Sequence, residues 1–232
     1  MMFASRTKLL SALLCLMILS GCESVTDWFE DDEVLEIRNL EPLENKVNLN
    51  VLWEREVGIG IGDYFSRLQP QVSGDKVFAA DRQGLVVAYN LVGEKIWQQR
   101  INTGGSFFSA GTSAKLAGGL AVSAEHVYVG SEDGRLLGLN QETGAIDFDI
   151  KVPGEIIATP SIGDGMIVVN TTAGRLIAYD LVTGKQTWIH ESDVPPLSLR
   201  GTSAPLVANG GVLVGTAAGK LQVNIADSGL VA

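Results

Sequence analysis

Cysteine and histidine, the side chains most suited to nucleophilic, base and metal-ligand roles near neutral pH, are few in this chain. Its 232 residues include two cysteines, Cys15 and Cys22, and two histidines, His126 and His190. Each histidine sits in a β-rich run that predicts a strand. Neither has a second histidine or a cysteine at ligand spacing, which argues against a metal site. No serine stands in a Gly-x-Ser-x-Gly context, so hydrolase chemistry has no signal. "GIGIG" (58–62) lacks the Gly-x-Gly-x-x-Gly spacing of a phosphate loop, and no helical pattern follows it; it reads as a connection between elements. Asp81, Glu132, Asp133 and Asp164 lie near expected turns and fit turn and surface roles. The pattern holds no catalytic constellation and calls for no cofactor.

What remains is binding chemistry, and "PPLSLRG" (195–201) is its best candidate. Pro195 and Pro196 stop a strand. If the chain runs extended beyond them, Leu197 and Leu199 project to one side and Arg200 emerges next to them. Two apolar anchors with an arginine make an interface hot spot. The same residue types allow both leucines to tuck beneath the loop while Arg200 pairs with a local carboxylate. The formal net charge of −10 argues against nucleic acid as a partner, because phosphate backbones demand basic patches.

The elements that position this loop come from a repeat. "GLVVAYNLVGEKIW" (84–97), "GRLLGLNQETGAIDF" (134–148), "GRLIAYDLVTGKQTW" (174–188) and "GKLQVNIADSGLVA" (219–232) are copies of one pattern. A second glycine follows each leading glycine at 9 or 10 positions: Gly93, Gly144, Gly184 and Gly229. Trp97, Phe148 and Trp188 come four residues after the first three of these. In the third copy "MIVVN" and "RLIAYD" read as strands joined by a tight turn, with "TPSI" before them and a Trp188 strand after. Four short strands in roughly 40 residues make a propeller blade. The closing aromatic is placed to fill the space between neighbouring sheets. The prediction is an all-β propeller of four-stranded antiparallel blades, about four of them here. Trp53 reads as the last strand of a further blade. The Gly/Ser-rich stretch 104–119 reads as a loop whose Phe107 and Phe108 cap one face.

The N-terminus reads as a targeting segment. Arg6 and Lys8 precede "LLSALLCLMILS" (9–20), an apolar run too short to span a bilayer comfortably. It ends in "LSGC" (19–22), which resembles the bacterial lipobox. That resemblance implies a signal peptide over 1–21, cleavage before Cys22, and acylation of its thiol and new amino terminus; several chains hold a protein on a membrane durably. Residues 22–49 then form a lipidated cysteine and tether, with nine acidic residues against Arg38 and Lys46. Glu23 after the lipidated position is compatible with sorting to the outer membrane. The propeller occupies 50–232.

"AYDLVTGKQTW" (178–188) resembles the quinoprotein-type repeat A-x-D-x-x-T-G-x-x-x-W, with "LNQETGAIDF" and "AYNLVGEKIW" as weaker copies. The lipobox, the acidic tether, these repeats and "LSLRGTSAP" (197–205) together resemble the BamB family, propeller lipoproteins of the outer-membrane β-barrel assembly machinery. The resemblance implies an eight-bladed ring, of which this chain carries about half. It implies a non-catalytic subunit on the periplasmic face of the outer membrane. Leu197, Leu199 and Arg200 would contact the POTRA domains of the barrel-forming subunit, and nascent outer-membrane proteins would pass nearby. Two other readings share the fold: a periplasmic quinoprotein-like enzyme, and a propeller that binds cell-wall polysaccharide.

Overall fold

Residues 49–103, 112–197 and 201–232 are described in a computed structural model of the chain. Val51–Ala232 form one compact unit. Among the described residues there is no helix. The first sheet takes β1 (Gln71–Ser73), β2 (Lys76–Ala80), β3 (Leu85–Asn90) and β4 (Lys95–Arg100), antiparallel neighbours in chain order. A short pair, β5 (Asn102–Thr103) and β6 (Thr112–Ser113), follows. The second sheet takes β7 (Ala121–Val122), β8 (His126–Gly130), β9 (Arg135–Asn140) and β10 (Ile146–Lys151). The third takes β11 (Ser161–Gly163), β12 (Met166–Asn170), β13 (Arg175–Asp180) and β14 (Gln186–Glu191). The fourth has β15 (Leu206–Ala208), β16 (Gly211–Gly215) and β17 (Leu221–Ile225), with Val231 bridged to Asn224. This is the blade pattern that the repeats predict, and both histidines lie in strands, His126 in β8 and His190 in β14.

The burial of each strand explains its composition. The middle strands β3, β9 and β13 are buried along their whole interiors, so they read as continuous apolar runs. Successive residues face opposite neighbours. In β8, Val127 and Val129 join a core with Phe78, Val86 and Leu116 of the first sheet and its connection, while Tyr128 joins Ile167, Val169 and Ile177 of the third sheet. Val168 of β12 faces Val207, Val212 and Val214 of the fourth. The outer strands β4 and β14 bury only one residue each, Trp97 and Trp188.

These aromatics dock on the next sheet along. A Cβ built on Gly144 would lie 2.6 Å from Trp97, and one on Gly184 2.6 Å from Phe148. The same holds for Gly229 against Trp188, at 2.6 Å. All three glycines have positive φ (67–73°), which L side chains rarely adopt. The indoles also donate across the interface, Trp97 Nε1 to Gln141 O (2.7 Å) and Trp188 Nε1 to Ala226 O (2.5 Å). Trp53 makes the same dock on Gly93, at 2.7 Å, and donates to Leu91 O. It thus takes the place of a preceding blade's closing tryptophan, although residues 51–57 pair in no sheet among the described residues.

Two expectations need correction. Asp81 serves a turn, but not at the surface: it is 1% exposed, and its carboxylate accepts from Leu85 N (2.8 Å) and Ile59 N (3.2 Å). That second bond ties the "GIGIG" segment to the first sheet. The 104–119 stretch is only partly a surface loop. Phe107 and Phe108 lie outside the described residues, but Ala114, Leu116 and Ala117 are buried, and Ala114 and Leu116 belong to the core between the first two sheets.

Candidate partner-binding surface

The connection from the third sheet to the fourth starts where β14 ends. Glu191 accepts from Arg175 Nε (2.8 Å), and Ser192 N donates to Gly174 O (2.8 Å), which pins the chain to the β12–β13 turn. Ile101 N to Gly84 O and Val152 N to Gly134 O do the same in the first two sheets. All the inter-sheet connections therefore emerge at the end of the sheets that carries these turns. Beyond Ser192 the chain passes through Pro195 and Pro196 to Leu197, whose side is 95% exposed. Leu199 and Arg200 lie outside the described residues, as does Cys22. On its far side the connection is fixed again. Ser203 Oγ donates to Gly215 O (2.8 Å) and accepts from Gly215 N (2.9 Å), and Asn170 Nδ2 donates to Ser203 O (3.1 Å). The residues flanking the leucine–arginine motif are thus held on both sides by neighbouring sheets.

At the base of this connection is a cavity of about 290 Å³. Glu155 and Asp193 bring carboxylates to it, and Thr171, Thr202, Ser203 and Thr216 bring hydroxyls. Thr202 Oγ1 is buried there without a hydrogen-bond partner. Sequence reasoning did not find this site. Its residues come from two inter-sheet connections and from the β12–β13 and β16–β17 turns, and no local motif unites them. The only shared signal is that Thr171 and Thr216 hold the same place in successive repeats, each accepting from the amide four residues on.

The ion pairs elsewhere are structural. Arg82 makes a two-point contact with Glu132 (2.7 and 3.0 Å) and stacks on Tyr64, with both charged side chains 12% exposed. Arg135 beside Asp149 holds that carboxyl below the usual carboxylate range. Burial pushes the Tyr128 hydroxyl up to about 12. His126 Nε2 lies 3.0 Å from Asp147 Oδ2 and edge-on to Phe148. Among the described residues no three His, Cys, Asp or Glu side chains are grouped as metal ligands.

Comparison with known proteins agrees with this architecture. A family model described as "Outer membrane protein assembly factor BamB" matches residues 50–231. The chain is 44% identical over 231 residues to the protein of that name from Alteromonas naphthalenivorans, covering 95% of this chain and 55% of that protein. It is 36% identical to that of Escherichia coli (strain K12), covering 97% and 56%. The chain spans about half the length of the curated relatives it matches. The crystal structure of BamB from Moraxella catarrhalis superposes with a TM-score of 0.62 at 24% identity, over 71% of this chain and 47% of that one. A europium-containing methanol dehydrogenase gives 0.56 at 15% identity, over 73% and 41%, a likeness of fold alone. With its repeats, its inter-sheet docks and a match running from residue 50 to 231, the chain belongs to the outer membrane protein assembly factor BamB family.

Proposed function

We propose that this chain is the propeller portion of a non-catalytic, lipid-anchored subunit of the outer-membrane β-barrel assembly machinery. The observation that carries the reading is the family match across residues 50–231. In this reading Cys22 bears the lipid, and the propeller faces the periplasm. The connection between the third and fourth sheets meets the POTRA domains of the barrel-forming subunit through Leu197, Leu199 and Arg200. The near-complete exposure of Leu197, on a connection anchored at both ends, supports that assignment. A large apolar side chain held out in water gains free energy by burial against a partner, on the order of 2 kcal/mol. The subunit would then act by holding the assembly components in place while client barrels insert.

The test is co-purification of the full chain with purified POTRA domains. Leu197→Ala combined with Arg200→Ala is expected to lower capture at least about ten-fold, as loss of two hot-spot residues should. Circular dichroism should stay unchanged. Equal capture by parent and variant overturns the assigned surface. Separately, labelled palmitate is expected in the parent and absent from Cys22→Ala.

A further inference from the structure

Residues 58–67 form a strap that leads into the first sheet, and their composition is unusual for a connection. Ile59, Ile61, Tyr64 and Phe65 are four large apolar side chains within seven residues, and they are 42–62% exposed. Held in water they contribute little to the fold, whereas burial against a partner would be favourable for each.

The strap is nevertheless fixed. Ile59 N donates to Asp81 Oδ2 (3.2 Å), Arg82 N to Gly60 O (2.9 Å) and Arg67 N to Ala117 O (3.0 Å). The Arg82 guanidinium lies 4.2 Å from the centre of the Tyr64 ring while it makes its two-point contact with Glu132. Tyr64 thus stacks on an ion pair that joins the first two sheets. Arg67 stands 5.9 Å from the centre of the Phe65 ring. Asp81 and Arg82 belong to the β2–β3 turn. The strap therefore lies at the end of the sheets from which the connections emerge, the end that carries Leu197.

Exposed aromatic and aliphatic groups beside arginines have the composition of an interface hot spot. Fixing them in advance lowers the ordering cost of binding. Two considerations select the occupant. A specific protein interface uses about 20–30 residues a side, so Leu197, Leu199 and Arg200 supply only a small part of one. A partner seated on them needs further surface at the same end. The strap also carries charges of both signs, Asp63 and Arg67, rather than the run of cations that anionic lipid headgroups attract.

We propose that residues 59–67 form a second contact for the protein that docks against Leu197, which meets Ile59, Ile61, Tyr64 and Phe65 with apolar side chains of its own. The inference rests on the partner-binding reading given above. Two contacts at one end fix the orientation of the partner, where a single loop would leave a pivot.

Two measurements test it. In the first, capture of POTRA domains is compared for three variants of the full chain: Ile61→Ser/Phe65→Ser, Leu197→Ala/Arg200→Ala and Val92→Ser/Val182→Ser. The third removes exposed apolar groups from turns at the opposite end of the sheets. The first two are expected to lower capture at least about five-fold, and the third to leave it at the parent level. If Leu197→Ala/Arg200→Ala loses capture and Ile61→Ser/Phe65→Ser does not, the partner surface stands and the second contact fails. If neither loses it, the partner reading fails and the second contact with it. Equal loss by Val92→Ser/Val182→Ser also overturns the proposal, because any exposed apolar group would then serve. The second measurement leaves the strap unaltered. Hydroxyl-radical footprinting of the full chain carrying Cys22→Ala should show oxidation of Tyr64 and Phe65 slowed several-fold by POTRA domains, and unaffected by vesicles of phosphatidylethanolamine and phosphatidylglycerol. Unchanged oxidation with POTRA domains overturns the contact. So does equal slowing by the vesicles, or slowing that follows the chain's own concentration, because a membrane or a second copy would then be the occupant.

Discussion

A closing aromatic and a turn glycine from the next repeat form the smallest unit of this fold. The sequence displays both halves, since each of the first three copies has a glycine with an aromatic four residues later. It does not display the pairing, because Trp97 meets Gly144 and not Gly93. Partners more than 30 residues apart are joined only by the stacking of sheets. Phe148 shows how the unit tolerates change. It lacks the indole N–H, and the carbonyl it would have met, Leu181 O, accepts instead from the Tyr128 hydroxyl at a long 3.4 Å. The dock also yields a controlled prediction. Gly144 and Gly165 have nearly the same φ, 73° and 74°, but a Cβ at Gly165 meets nothing within 4 Å. Gly165→Ala should cost about 1–2 kcal/mol, the penalty of the left-handed backbone alone. Gly144→Ala should cost a further ~1–3 kcal/mol for pushing Trp97 off its seat. Urea unfolding of the two variants measures the difference, and equal midpoints would show that the contact carries no energy.

At the level of strands and turns, most of the architecture was legible. Short apolar runs between glycine-bearing turns have few other ways to bury both faces. The connections were much less legible, because their constraints come from neighbours. "GIGIG" carries no sign that it will be tied to Asp81, and 114–120 looks like loop although it is core. The cavity at the candidate site was invisible for the same reason, being assembled from connections some 40 residues apart. Asp81 makes this testable. Its counterparts in later repeats, Ser131, Thr171 and Thr216, accept the equivalent amide with a hydroxyl. Only Asp81 reaches a second element as well. Asp81→Ala leaves two part-buried donors without their acceptor and should cost about 1–2 kcal/mol. It should also speed proteolysis within 58–63. Asp81→Ser would restore the turn bond but not the link to Ile59, so stability should recover in part while cleavage stays fast. Limited proteolysis with mass spectrometry reads both effects, and slow cleavage in both variants would refute the tie.

The unit from Val51 to Ala232 is a row of sheets whose apolar cores lie between neighbours. Three such cores serve four sheets. No sheet could bury its residues alone, and this is why the fold is set by repetition rather than by any one segment. It also explains how the described residues on either side of 198–200 are fixed by two sheets, Ser203 to the fourth and Ser192 to the third. In such a row stability is roughly a sum of nearest-neighbour terms, so damage should spread one neighbour and fade. Leu137 lies in the core between the first and second sheets, fully buried. Leu137→Ala should cost about 2–5 kcal/mol. Native-state hydrogen exchange should show the loss in β2, β3, β8 and β9, with β16 far less affected. Val168→Ala, in the core between the third and fourth sheets, should give the reverse distribution at a smaller cost. Exchange that rises equally in all four sheets for either variant would mean that the propeller opens as one cooperative body, and the nearest-neighbour account would fall.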